Sequence, residues 1–135
     1  MAQADELSIY NDTMAFILLI YKYVNNFNRF DRGVLGARLL NESLDLISYI
    51  SLANREKDKR EEHLTNCLSK FESIKACLKI CSEVKIMSER QTELLCRQIS
   101  KIEKQATGWK NHKSRKKNGW NDTVIENDIM SDMPF

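Results

Sequence analysis

Glycine and proline are the scarcest structural signals in this chain: four glycines and a single proline, Pro134, next to the C-terminus. A sheet protein of 135 residues needs a turn every ten residues or so, and turns draw on those two residues. Their scarcity excludes most all-β folds and predicts long helices. The first residues, MAQADELSIYNDT, are acidic and lack the basic-then-apolar order expected of a signal peptide. The longest apolar run, Met14 to Tyr21, falls far short of the roughly 20 residues that cross a bilayer. A cytoplasmic protein with no membrane association is therefore expected, and the Asn-X-Ser/Thr sequons at Asn11, Asn41 and Asn121 carry no weight.

Catalytic signatures are missing as well. No phosphate-binding glycine loop, dinucleotide fingerprint or zinc-protease motif occurs, and the only histidines are His63 and His112. The carboxylates alternate with Lys and Arg along polar helix faces, the pattern of a solvated surface. No enzymatic activity and no cofactor is expected. His63/Cys67 and Cys77/Cys81 are i, i+4 pairs, but the two pairs lie about 15 Å apart along one helix. They cannot share an ion within a chain, so Cys67, Cys77, Cys81 and Cys96 are read as small hydrophobes rather than metal ligands.

What is present is helical periodicity. The first helix is expected over about 8–26, with Tyr10, Met14, Ile17, Tyr21 and Val24 on one stripe. Ile9, Phe16, Ile20 and Phe27 form a second stripe beside it. That apolar surface is wider than one core requires, so the second stripe is assigned to an oligomer interface. A turn through 27–33 follows, with Asp31 as N-cap. The second helix is expected over 34–54, and Gly36 in its first turn implies a close packing partner. The charged stretch from Arg55 to Glu62 holds the next turn. A third helix over 59–85 carries the clearest seam: Leu64, Cys67, Phe71, Ile74, Leu78 and Cys81. Ser88-Glu-Arg-Gln91 is a capping box that opens the fourth helix, 89–107, with Gly108 as its C-terminal cap. Trp109 extends that helix's seam and is assigned to closing the core.

The fold class is all-α, an antiparallel up-down-up-down four-helix bundle in residues 1–109. The alternative, three helices with the second and third fused through 54–60, is less favoured. Residues 110–135 read as a flexible tail. Its first part, 110–117, has five basic residues and no acidic one; its second, 118–135, has four acidic residues and no basic one. In this topology the turn after the second helix and the end of the fourth lie together. Arg55, Lys57, Lys59 and Arg60 would then sit near Lys110, Lys113, Arg115, Lys116 and Lys117, a local cationic patch of the kind phosphate backbones respond to. On charge alone, nucleic-acid contact and a merely soluble surface are equally favoured, since Glu56, Asp58, Glu61 and Glu62 share the turn.

The junction Phe27-x-x-Phe-x-Arg-x-x-x-Gly-x-Arg38, with Leu39 to Ala53 after it, resembles the accessory variability determinant (Avd) proteins of diversity-generating retroelements. So does Ile99-x-x-Ile-x-x-x-x-x-Gly-Trp109-Lys110. The resemblance covers about residues 9–112 and departs at Asn28, where that junction is expected to carry proline. It implies a four-helix bundle that assembles as a homopentamer and binds the reverse transcriptase and template-region RNA. The role would be to support mutagenic cDNA synthesis and retrohoming, with the chemistry left to the polymerase. Carried onto this chain, it nominates Arg29, Arg32 and Arg38 by the first turn, and Lys101, Lys104 and Lys110 along the fourth helix, as RNA or polymerase contacts; Arg38 has an inter-subunit salt bridge as its alternative. Two other readings stand beside it: the related bundle proteins encoded in ribosomal RNA intervening sequences, and a protein-only adaptor that uses its first helix.

Overall fold

The computed structural model describes the backbone of residues 2–117 and the side chains of residues 8–112. Four long helices carry the fold: α1 (Ala2–Val24), α3 (Ala37–Arg55), α4 (Arg60–Glu83) and α5 (Glu89–Lys117). A short helix α2 (Arg29–Asp31) and a π-helical turn (Arg32–Gly36) lead into α3, and a 3-10 turn (Lys57–Lys59) separates α3 from α4. Each long helix packs on two neighbours, in the cycle α1–α3–α4–α5–α1, which gives an antiparallel up-down-up-down bundle. The break at Glu56–Lys59 excludes the three-helix arrangement. Among the described residues no helix is long and apolar enough to cross a membrane.

The core is one cluster drawn from all four helices. It includes Phe16, Ile20, Leu39, Leu46, Ile50, Leu64, Phe71, Ile74, Leu78, Leu95, Ile99 and Ile102. The α4 seam is buried as its three-four spacing requires, and Trp109 closes one end of it. Cys67, Cys77 and Cys81 are buried free thiols and Cys96 is half-buried. Burial pushes the Cys67 thiol up to about 12.

The first connection differs from the sequence expectation. Asp31 does not cap α3, because helical structure begins earlier, at Arg29. Asn28 caps the short helix α2, where that structure begins: its Oδ1 accepts from the Asp31 N–H at 2.9 Å while its Nδ2 donates to Asp31 Oδ2 at 2.6 Å. The side-chain amide thus supplies the start signal at the position where the Avd junction is expected to have proline. Five π-helical residues then rotate the chain into α3 and bring Gly36 against α1. A β-carbon at Gly36 would lie 2.6 Å from Val24 Cγ1, so the close partner expected from the sequence is Val24.

The α4–α5 connection is built from two caps. Lys85 adopts a left-handed conformation (φ 64°), its N–H donating to Ser82 O at 3.1 Å. The Ile86 N–H donates to Cys81 O at 3.1 Å, which completes a Schellman motif with lysine at the site glycine usually holds. Ser88 and Gln91 then form the expected capping box: the Gln91 N–H donates to Ser88 Oγ and the Ser88 N–H to Gln91 Oε1, both at 3.1 Å.

The largest boundary difference is at the C-terminus, where α5 runs through Gly108 to Lys117. An internal glycine costs a helix only about 1 kcal/mol. Burial of Trp109 one residue later outweighs that and keeps the helix wound. Of the expected tail, 110–117 is therefore helical backbone, and 118–135 lies outside the described residues.

Candidate nucleic-acid and partner interfaces

The four side chains assigned from sequence to an oligomer face are core residues. Ile9, Phe16, Ile20 and Phe27 are at most 4% exposed within a single chain. The second stripe of α1 is core, joined by Ile17 and Val24 from the first, whose remaining members are exposed. The core side is set by where α3 and α5 lie, and both pack on the stripe that also buries Thr13, whose hydroxyl donates to Ile9 O at 2.7 Å. The surplus apolar surface is instead Tyr10, Met14, Leu18 and Tyr21, with Leu18 and Tyr21 more than 60% exposed. Periodicity shows that α1 has two apolar stripes; it holds nothing that says which one faces inward.

A second group of exposed apolar side chains lies at the end of the bundle where α1 finishes and α5 begins. Phe30 and Val34 come from α2 and the π-helical turn, Ile80 from the last turn of α4 and Val84 from its C-cap. Phe30 is 75% exposed.

The basic residues divide between the two ends. Arg29 is exposed at the α1–α3 connection. Arg32 closes that connection, its Nη2 donating to Phe27 O at 3.1 Å and Asn25 O at 3.3 Å, where it satisfies carbonyls at the end of α1. Arg38 pairs with Glu42 within its own chain, Nε to Oε2 at 2.6 Å. Burial opposes ionisation of Glu42, yet the Ser73 hydroxyl and Arg38 together hold its carboxyl below the usual range.

At the opposite end, Arg55, Lys57 and Lys59 are exposed and Lys110 is half-buried. Arg60 does not belong with them as a surface cation. It is 8% exposed, its guanidinium lies 4.9 Å from the Trp109 ring centroid, and its Nε donates to Ala53 O at 2.9 Å. These contacts confirm that the α3–α4 turn and the end of α5 share one end of the bundle, and they show why Arg60 is buried: it staples the two together. His63 lies beside it with Nε2 2.7 Å from Glu56 Oε1. The backbone at Lys113, Arg115, Lys116 and Lys117 is helical, and their side chains are outside the described residues.

Lys101 and Lys104 project from the exposed side of α5; Lys101 Nζ is 3.6 Å from Asp12 Oδ2 and Lys104 is exposed. They are not alone there. Arg90 and Arg97, which no charge run flags, lie on the same side of α5 at spacings of seven, four and three residues. Among the described residues no group of three or more His, Cys, Asp or Glu comes together at a distance that could hold a metal ion.

A family model for bAvd-like proteins matches residues 8–113, from within α1 to beyond the buried Trp109 in α5. The chain belongs to the bAvd-like family. No curated protein matches it. For this bAvd-like chain the matched region ends within the basic run of α5, so residues 114–135 lie beyond it.

Proposed function

We propose that this protein is a non-catalytic accessory subunit of a diversity-generating retroelement. It binds the element's reverse transcriptase and template-region RNA, and supports mutagenic cDNA synthesis and retrohoming from a cytoplasmic homopentamer. The observation that carries this reading is the bAvd-like match over residues 8–113, which takes in most of each long helix of the bundle.

The surface supports assembly in a specific way. A closed ring joins two different patches, one on each neighbour. This chain offers two separate apolar surfaces: Tyr10, Met14, Leu18 and Tyr21 on α1, and Phe30, Val34, Ile80 and Val84 at the end of the bundle. Monomeric proteins seldom leave contiguous apolar surface of this kind uncovered.

The test is reconstitution with the reverse transcriptase and template-region RNA of the same retroelement. The expected result is a complex of near-pentamer mass for the accessory chain, and cDNA synthesis that requires it. Synthesis at the same rate and fidelity without this protein would refute the role. For assembly, Leu18→Glu should lower the native mass while preserving helicity, because Leu18 is mostly exposed. Phe16→Glu should instead unfold the chain, because Phe16 is fully buried.

A further inference from the structure

The exposed stripe of α1 is half of a larger apolar face. Gly36 packs against Val24, and α1 and α3 run antiparallel, so Leu40 lies level with Ile20, Leu44 with Phe16 and Ile47 with Thr13. At about 100° per residue, Tyr10, Met14, Leu18 and Tyr21 fall on the flank of α1 just outward of Val24. Leu40, Leu44 and Ile47 fall on the flank of α3 just outward of Gly36. The two flanks therefore border one α1–α3 seam from its solvent side. Tyr10, Met14, Leu18, Tyr21 and Leu44 are exposed there, while Leu40 and Ile47 are half-buried. From Tyr10 to Tyr21 the face is about 16 Å long.

The face carries no charge over that length. Between Tyr10 and Tyr21, and between Leu40 and Ser51, the charged residues are Asp12, Glu42 and Asp45, and each is turned to another helix. Asp12 Oδ2 accepts from Gln105 Nε2 of α5 at 2.6 Å, Asp45 Oδ2 is 3.3 Å from Lys70 Nζ of α4, and Glu42 accepts from Ser73 of α4. Cations stand instead beyond the Tyr10 end, where α3 finishes. Arg55, Lys57 and Lys59 are exposed there, and among the described residues no carboxylate lies within 4.0 Å of them. An uncovered apolar surface with one cationic end fits a segment that is both apolar and acidic. Residues 118–135 have that composition: Asp122, Glu126, Asp128 and Asp132 with no basic residue, interleaved with Val124, Ile125, Ile129 and Met130.

We infer that residues 118–135 fold back over the α1–α3 face of their own chain, with carboxylates on Arg55, Lys57 and Lys59 and apolar side chains on the stripe from Tyr10 to Tyr21. The start point permits it. α5 ends at Lys117, about 12 Å beyond Trp109, at the same end of the bundle as the α3–α4 turn. From there the path returns over that end, crosses about one and a half helix spacings of roughly 8–10 Å and runs up the face, about 45 Å in all. The 118–135 segment spans about 60 Å when extended. On that path Asp122 and Glu126 pass the cations before Ile129 and Met130 reach the stripe. A tethered segment acts at an effective concentration on the order of millimolar, which gives it precedence over a second copy. This contact requires no retroelement role. A neighbouring copy that packs on α1 would have to displace the segment, whereas Phe30, Val34, Ile80 and Val84 stay open.

Amide hydrogen exchange of the full-length protein, read by mass spectrometry, tests this, with a synthetic peptide of residues 118–135 as the unprotected reference. Exchange in 118–135 should be at least tenfold slower in the wild type than in the peptide, and equal rates overturn the inference. The face variant Leu18→Ser, Leu44→Ser should bring the segment to the peptide rate. Both side chains are mostly exposed, so the helices should persist, which circular dichroism checks. Protection that survives in this variant puts the segment elsewhere and overturns the inference. Arg55→Gln, Lys57→Gln, Lys59→Gln should lower protection several-fold, and unchanged protection overturns the charge contact. Own chain and second copy are separated by co-expressing the face variant with the tail variant Ile125→Ser, Ile129→Ser, whose 118–135 fragment differs in mass. The intact segment should stay unprotected beside the intact face of the other variant. Recovery of its protection would assign the contact to a second copy and overturn the inference.

Discussion

Replacing Gly36 by alanine tests how the π-helical turn is fitted against α1. In an unconstrained helix interior this change gains about 1 kcal/mol, because alanine restricts the unfolded chain and glycine does not. Here the new β-carbon would lie 2.6 Å from Val24 Cγ1, well inside contact distance. Val24 cannot turn away easily: it is 3% exposed, and a β-branched residue in a helix has one strongly preferred rotamer. Overpacking of this kind costs about 1–3 kcal/mol, so the net expectation is destabilisation by about 1 kcal/mol. Val24→Ala alone removes two buried methyl groups and should cost about 1.6 kcal/mol before any cavity term. In the double variant the clash is gone, and the two changes should couple favourably by about 1–2 kcal/mol. Urea unfolding followed by circular dichroism, at one fixed protein concentration, reads all four corners of the cycle. A Gly36→Ala protein more stable than wild type, or strict additivity with Val24→Ala, would refute the packing argument.

Two further expectations follow from the caps and the buried carboxylate. Lys85→Gly should stabilise the protein by about 0.5–1 kcal/mol, because a side chain at φ 64° bears a steric cost that glycine lacks, and the same unfolding assay would show it. Glu42 is held below the usual carboxylate range, so its contribution is present above the unfolded pKa and is lost as pH falls through the lower folded value. Glu42→Gln should therefore flatten the acid side of the stability–pH curve at and below the ordinary carboxylate range and leave its alkaline side unchanged; an unaltered acid limb would show that Glu42 is not the titrating group.

Much of the bundle is legible in the residues because helix signals are local. The three-four spacing of Leu64, Cys67, Phe71, Ile74, Leu78 and Cys81 identifies a buried seam, and Ser88 with Gln91 marks a helix start by their own chemistry. Gly36 signals a close approach because little else explains a glycine inside a helical run. Gly108 carries the same residue type with the opposite outcome: the helix continues, since Trp109 is buried and stacked by Arg60 at the start of α4, a partner distant in the chain. Asp31 is the cap the local pattern suggests, but Asn28 takes that role and lets helical structure begin at Arg29.

The amino-acid sequence by itself determined the number of long helices, their order, and the antiparallel topology that short connections impose. It determined that α1 carries two apolar stripes and that a run of cations fills 110–117, which the structure places on the extended α5. Only the tertiary structure decided which α1 side chains are core, because Phe16 and Met14 are both apolar in isolation and differ in what α3 and α5 place against them. It also decided that Arg60 is a buried staple while Lys57 and Lys59, two neighbours of the same charge, remain in solvent. Burial is a property of the packed set of helices, so a side chain's role follows from partners distant in sequence that no local pattern encodes.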